Sequence, residues 1–303
     1  YFGFINDRIL LSLGYYQNRS SNQLLGYPLP SITGFSSIQQ NLPAIVQNTG
    51  WEFEINTSNV KRKEFTWVSS FNLTVPQTQL IAYPNLAGSP YSHTYVVGKS
   101  LYIKQNFAST GVDPQTGLYT FKDVNKDGIV SSPKDYLGNE KVAQLYYGML
   151  GNQFRFKNWQ FSFDWQFVKQ TGRNYLYSNF TAPGMRNNQP ELTLHRWQRP
   201  GDASGIQKYT QDRGGAGYDA YYDAVLSELT ISDASFLRLR NIYLAYGLPP
   251  GLLEKMHIQK LVVCLKGQNL LTISHYKGID PENQTVQSLP PLKVFSAGIQ
   301  LSF

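Results

Sequence analysis

From Trp159 to Phe167 every second residue is aromatic: Trp159, Phe161, Phe163, Trp165 and Phe167 alternate with Gln160, Ser162, Asp164 and Gln166. A period of two belongs to a β-strand, whose successive side chains point to opposite faces of a sheet. One face of this strand carries bulky rings, the other amides, a hydroxyl and a carboxylate. A half-buried sheet of a water-soluble protein lines its inner face with aliphatic side chains far more often than with five rings in file. The segment therefore asks for surroundings that are apolar on one side and wet on the other.

The same period recurs along the chain. Strands are predicted at Phe2–Ile5, Ile9–Leu25, Ala44–Thr57, Phe65–Leu80, Gln144–Phe156, Trp159–Gln170, Ser235–Tyr246, Ile258–Thr272 and Leu292–Phe303. In the seventh, Leu237 and Leu239 share one parity while Ile242, Leu244 and Tyr246 share the other, so a bulge is expected near Arg240–Asn241. The connections alternate short and long without exception. Residues 6–8, 58–64, 157–158 and 247–257 form the short ones, and residues 26–43, 81–143, 171–234 and 273–291 the long ones. A sandwich has no reason to collect every long loop at one end. An antiparallel barrel across a bacterial outer membrane does, with tight turns on the periplasmic side and long loops outside. Its rings would face the lipid bilayer and its amides a wet lumen. On that assignment Phe163→Lys impairs assembly, whereas Gln166→Lys is tolerated. The last segment, "FSAGIQLSF", ends on an aromatic, with Phe295, Ala297, Ile299, Leu301 and Phe303 on one face. A terminal Phe closing an alternating strand is the kind of signal that barrel-assembly machinery reads.

Composition removes other classes. No apolar run among the 303 residues approaches the length of a membrane helix. Aromatics make up 14% and charged residues only 16%, which suits extensive β structure with large ring surfaces. The net charge of +7 comes from scattered Lys and Arg rather than a basic stripe, so nucleic acid is not an expected partner. A single cysteine, Cys264, excludes an internal disulfide and any multi-cysteine metal cluster. The opening "YFGFINDRIL" has neither an initiator Met nor a signal peptide, as expected of a piece of something longer.

No enzyme motif survives inspection. "VVGKS" at Val96–Ser100 ends like a phosphate-binding loop, but His93 stands where the first Gly must be. "SSPK" at Ser131–Lys134 lacks its companion motifs. His93, His195, His257 and His275 show no ligand spacing. "GDASG" at Gly201–Gly205 is not a nucleophile elbow. No catalytic residue is expected and no cofactor is required.

Two loop segments do carry chemistry. "DVNKDGIVSSPKD" places Asp123, Asn125 and Asp127 two residues apart, with Gly128 at the turn and Ile129 offering its carbonyl. This is the first half of a Ca²⁺ loop, in which hard oxygen ligands converge where the chain turns sharply. The closing acid is displaced: Lys134 holds its place and Asp135 follows one residue late. A structural Ca²⁺ and an Asx-rich turn are the two readings of this loop. The long segment 171–234 holds Trp197, Tyr218, Tyr221 and Tyr222 together with Arg199 and Arg213. As exposed aromatic plates with polar neighbours, they are candidates for contacts to substrate or to a protein partner. Packing of these loop residues on one another is the competing reading.

Several stretches together resemble the SusC-like TonB-dependent transporters of the Bacteroidetes. They are "PLPSITGFSSIQQN" and "QNTGWEFEIN" within Pro28–Asn56, "GVDPQTGLYTFKDVNKDGIV" at Gly111–Val130, and the run Asp135–Phe167. "HRWQRPGD" at His195–Asp202 and the segments within Ser232–Glu282 follow in the family's order. The resemblance implies an all-β fold in which this chain forms the last nine or so strands of a plugged barrel of about 22 strands. It implies active import of an oligomeric glycan or peptide, energised by TonB through a part absent from this sequence and shared with a SusD-like surface lipoprotein lid. The alternative is a barrel that transports nothing and serves as a scaffold in an outer-membrane complex. No family motif fixes a substrate-binding residue here.

Overall fold

The computed structural model describes residues 2–178, 180–255 and 258–302; the expected terminal aromatic Phe303 and the turn residue His257 lie outside them. Nine strands follow one another in chain order as a single antiparallel meander. They are β1 (Phe2–Phe4), β2 (Ile9–Pro28), β3 (Ser37–Lys61), β4 (Phe65–Ala82), β5 (Gln144–Phe156), β6 (Trp159–Arg173), β7 (Phe236–Gly247), β8 (Lys260–Ser274) and β9 (Val294–Ser302). A short strand, Ile231–Asp233, adds to the outer end of β6. Among the described residues no helix is long and apolar enough to cross a membrane, which says nothing of crossing by strands.

Register carries the sequence pattern across the whole sheet, because residues directly opposite each other in antiparallel strands share a face. One row reads Leu11, Ile55, Phe71, Leu150, Trp165, Leu239 and Leu271 from β2 to β8. On the other face a row reads Ser12, Glu54, Asn72, Met149, Gln166, Arg238 and Thr272. The rings on the apolar face pack on one another between strands. Phe71 and Phe167 stack at 5.7 Å, Trp67 and Phe154 at 5.5 Å, and Trp159 meets Tyr246 at 4.6 Å. The expected bulge is present: the register between β6 and β7 slips after Asp164, and Arg240 is the extra residue that keeps Ile242 on the face of Leu239.

The first long loop differs from expectation. The sequence places it at residues 26–43, whereas β2 and β3 pair out to Pro28 and Ser37 and leave only residues 29–36 as a tip. Pro43 reads as a strand breaker because it lacks an N–H. Here it sits where the β2–β3 register slips at Asn22, and β4 has already ended at Ala82 opposite Ile45, so no ladder donor is required of it.

Buried residues concentrate outside the sheet. Phe107, Tyr119, Tyr177, Trp197, Tyr221 and Ala224 are buried, and all lie in the segments between β4 and β5 and between β6 and β7. The sheet itself leaves Trp51, Trp159, Leu265 and Ile299 open, and Phe295 is 76% exposed. Water would not tolerate so broad an apolar face; lipid would.

Candidate functional site

The two longest connections fold into one lobe at the outer end of the sheet. Its framework is two small antiparallel strand pairs, Ile103–Asn106 with Gly138–Lys141 and Ser109–Val112 with Tyr119–Phe121, and a helix, Ala216–Val225. Backbone bonds stitch the two connections together: Phe107 N–H donates to Leu226 O at 3.1 Å and Glu228 N–H to Phe107 O at 3.2 Å. The Glu228 carboxylate in turn accepts from Ser109 N–H at 2.8 and 3.0 Å. Tyr119, Tyr177, Ala182, Tyr221 and Ala224 form the core of this lobe. The hydroxyls of Tyr119 and Tyr177 lie 3.1 Å apart, and burial pushes both phenols above the usual tyrosine range. These groups stay neutral and structural.

The lobe separates the candidate contact residues into two kinds. Trp197, expected as an exposed plate, is 9% exposed; its indole N–H donates to Pro114 O at 2.9 Å. A Cβ at Gly117, which stands at φ +70, would collide with its ring, so the ring needs that glycine beneath it. Tyr221 is 4% exposed and its hydroxyl donates to Phe180 O at 2.8 Å. Both are corrected to interior residues, because each buries its ring while its polar tip finds a backbone carbonyl. Tyr218 and Tyr222 remain at the surface one helical turn apart, with ring centroids at 4.6 Å and hydroxyls at 2.9 Å. Arg213 stands close enough to influence the Tyr218 phenol, and Arg199 reaches out from the lobe with Asp202 beside it at 3.5 Å. Tyr218, Tyr222 and Arg213 are thus the candidates that the fold brings together on an open surface.

In the loop 123–135 the acids are engaged with backbone donors. Asp123 accepts from Lys126 N–H and Gly128 N–H, Asn125 from Asp127 N–H, and Asp127 from Ile129 N–H. Asp135 is fully buried: Oδ1 accepts from Val124 and Asn125, and Oδ2 from Ser131 N–H at 2.8 Å. These bonds hold its carboxyl below the usual carboxylate range, the Ser131 N–H foremost. Asp135 is a staple that closes the loop rather than a free closing ligand. Ca²⁺ takes six to eight oxygens, waters included, and the side chains of Asp123, Asn125 and Asp127 with the Ile129 carbonyl would supply part of such a shell. Among the described residues no group of three or more His, Cys, Asp and Glu is placed to hold a metal ion.

A further constellation, on the polar face, escapes sequence reading. Arg238 is 1% exposed and is held by Asp280 at 2.5 Å, Glu282 at 2.6 Å and the Thr272 hydroxyl at 2.9 Å. Arg240 donates to Gln166 Oε1, Asn269 Oδ1 and Glu282 Oε1. Two inward arginines on one strand and two acids in "GIDPE" were visible as residues, but nothing local says that the loop after β8 folds back over β7.

No family model matches the chain. Relatives do. A TonB-dependent receptor, P26, of Formosa agariphila is 29% identical over 301 residues, covering 91% of this chain and 30% of that protein. The TonB-dependent receptor SusC of Bacteroides thetaiotaomicron is 27% identical over 330 residues, covering 100% of this chain and 31% of SusC. Among solved structures, the RagAB peptide transporter matches with a TM-score of 0.80 at 24% identity, over 99% of this chain and 34% of that one. The same importer in its closed-closed state gives 0.82. Sheet, register and relatives agree in what the chain resembles: part of the β-barrel of a TonB-dependent receptor. Within that class it is similar to SusC, and it spans about a third of the length of the curated relatives it matches. Its relatives are receptors and transporters, not enzymes.

Proposed function

We propose that this chain forms the last strands and outer mouth of an outer-membrane importer for an oligomeric nutrient, a glycan or a peptide. The observation that carries the reading is the two-faced meander, apolar on one side from β2 to β8 and polar on the other, with its long connections gathered into one lobe. Lipid solvates the first face, and the second lines the path of the substrate. The relatives supply the energetics: receptors named for TonB draw on an inner-membrane partner, reached through a part of the protein outside this chain. A SusD-like surface lipoprotein closes over the lobe, where Tyr218, Tyr222, Arg213 and Arg199 offer ring faces and cations to it or to the substrate. No cofactor enters the reading.

The test is extraction of the native full-length protein in mild detergent, followed by intact mass, partner identification and uptake in cells with and without TonB. A long chain arriving with a surface lipoprotein and a bound oligomer, and uptake that stops without TonB, is the expected result. An empty barrel co-purifying with unrelated envelope proteins, and uptake indifferent to TonB, would replace the importer by a scaffold.

A further inference from the structure

The segment between β8 and β9 is tied to the polar face at two levels, and the ties differ in kind. At the inner level Asp280 sits 7% exposed against Arg238, itself 1% exposed. The second Asp280 oxygen accepts from Glu282 N–H at 3.0 Å and Asn283 N–H at 3.2 Å. Gln170 of β6 donates to Pro281 O at 2.8 Å, and the Tyr276 hydroxyl to Arg173 O. This half is interlocked with both β6 and β7.

At the outer level Glu282 is 37% exposed and bridges Arg238 to Arg240. Asn269, whose φ of 53 at the bulge of β8 turns it out of the ladder, accepts from Arg240 and donates to Leu292 O at 3.1 Å. Between these ties residues 284–293 form no helix or strand, and Leu289 and Leu292 stand 82% and 71% exposed. A stretch with so little buried surface opens locally at small cost. Beneath it lies a cleft of about 510 Å³. Thr272, Ser274 and Tyr276 line one side, and Ile279 and Pro290 help to close it.

We infer that residues 285–293 are a flap over this cleft, hinged on the fixed Arg238–Asp280 anchor and held shut by Arg240–Glu282 at its base and Asn269–Leu292 at its far end. Arg240 is suited to such a catch. Its guanidinium is oriented by two neutral amide oxygens, so Glu282 can leave without Arg240 losing its position. Arg238 keeps Asp280 when Glu282 leaves, so opening strands no buried charge. The device stands on these side chains and not on the identity of the cargo.

Hydrogen exchange on the full-length protein in lipid nanodiscs tests it, with heat-modifiable gel migration to show that each variant has assembled. Glu282→Gln and Asn269→Ala each cut one outer tie. Each is expected to speed exchange in residues 285–292 by about tenfold or more while residues 272–284 remain protected. Arg240→Lys keeps the charge but not the three-way fork, and falls between them and the wild type. Unchanged exchange in both single variants would show that the flap is held by something else. Equal release of residues 272–284 would remove the fixed anchor, and either result overturns the inference.

Discussion

Asp135 shows how one side chain decides what a segment is. The spacing of Asp123, Asn125 and Asp127 asks for a cation, yet the carboxylate that follows is buried and taken up by the N–H groups of Val124, Asn125 and Ser131. Asp135→Ala therefore unravels residues 123–135, seen as new proteolytic cleavage there, with or without added Ca²⁺. A Ca²⁺-dependent protection abolished by Asp127→Asn would instead show that a cation joins the loop. Because the folded pKa of Asp135 is lowered, its stabilisation is full above the unfolded value of about 3.9 and is lost as pH falls below it. Proteolysis of the loop should accordingly stay flat from neutral pH down to about pH 4 and rise only beneath that. The aromatic residues divide in the same manner. Trp197→Ala removes a buried ring from the lobe and is expected to destabilise it by about 3–5 kcal/mol, read by chemical unfolding. Tyr222→Ala, at an exposed site, should leave lobe stability within about 0.5 kcal/mol and weaken capture of partner or cargo.

Among the elements, β6 is the sharpest test of facing. Phe163 sits in the apolar row between Asn152 and Ile242. Phe163→Lys would place a cation on the lipid side at a cost of about 2–4 kcal/mol and impair assembly, measured as loss of the heat-modifiable folded band. The polar-face control changes once the structure is known. Gln166 accepts from Arg240 at 2.5 Å, so a lysine there would meet a guanidinium rather than open water. Ser162→Lys, opposite Gln153 and Tyr243, is the sounder partner and should assemble like the wild type. Equal damage from Phe163→Lys and Ser162→Lys would reverse or abolish the assignment of faces. The β2–β3 hairpin makes a related point. Pro43 lies inside β3, but the partner strand has already ended there, and a missing donor costs nothing where no acceptor waits.

For the whole molecule, the division of labour follows from where burial occurs. The sheet keeps its apolar face uncovered and the lobe keeps a conventional core, so the two should respond differently to their surroundings. Exchanging nanodiscs for a short-chain detergent is expected to lower the melting temperature of the sheet more than that of the lobe, followed by exchange in β5–β6 against residues 216–225. Similar losses in both would mean that the apolar face is covered by protein rather than by lipid.

The strand pattern, the two faces and the bulge at Arg240 were all determined by the sequence alone. Each is a local property: the period of two is written into the backbone, and a side chain's parity settles its face before any partner strand is chosen. The tertiary structure alone decided which loop aromatics are interior, where the spare acid of residues 123–135 goes, and what neutralises Arg238. Loops have no period from which to read a direction, and their partners are distant along the chain. Tyr119 meets Tyr177 across 58 positions, and Arg238 meets Asp280 across 42. Such pairs exist only after the sheet has set its strands in register and brought the chain back over its own polar face.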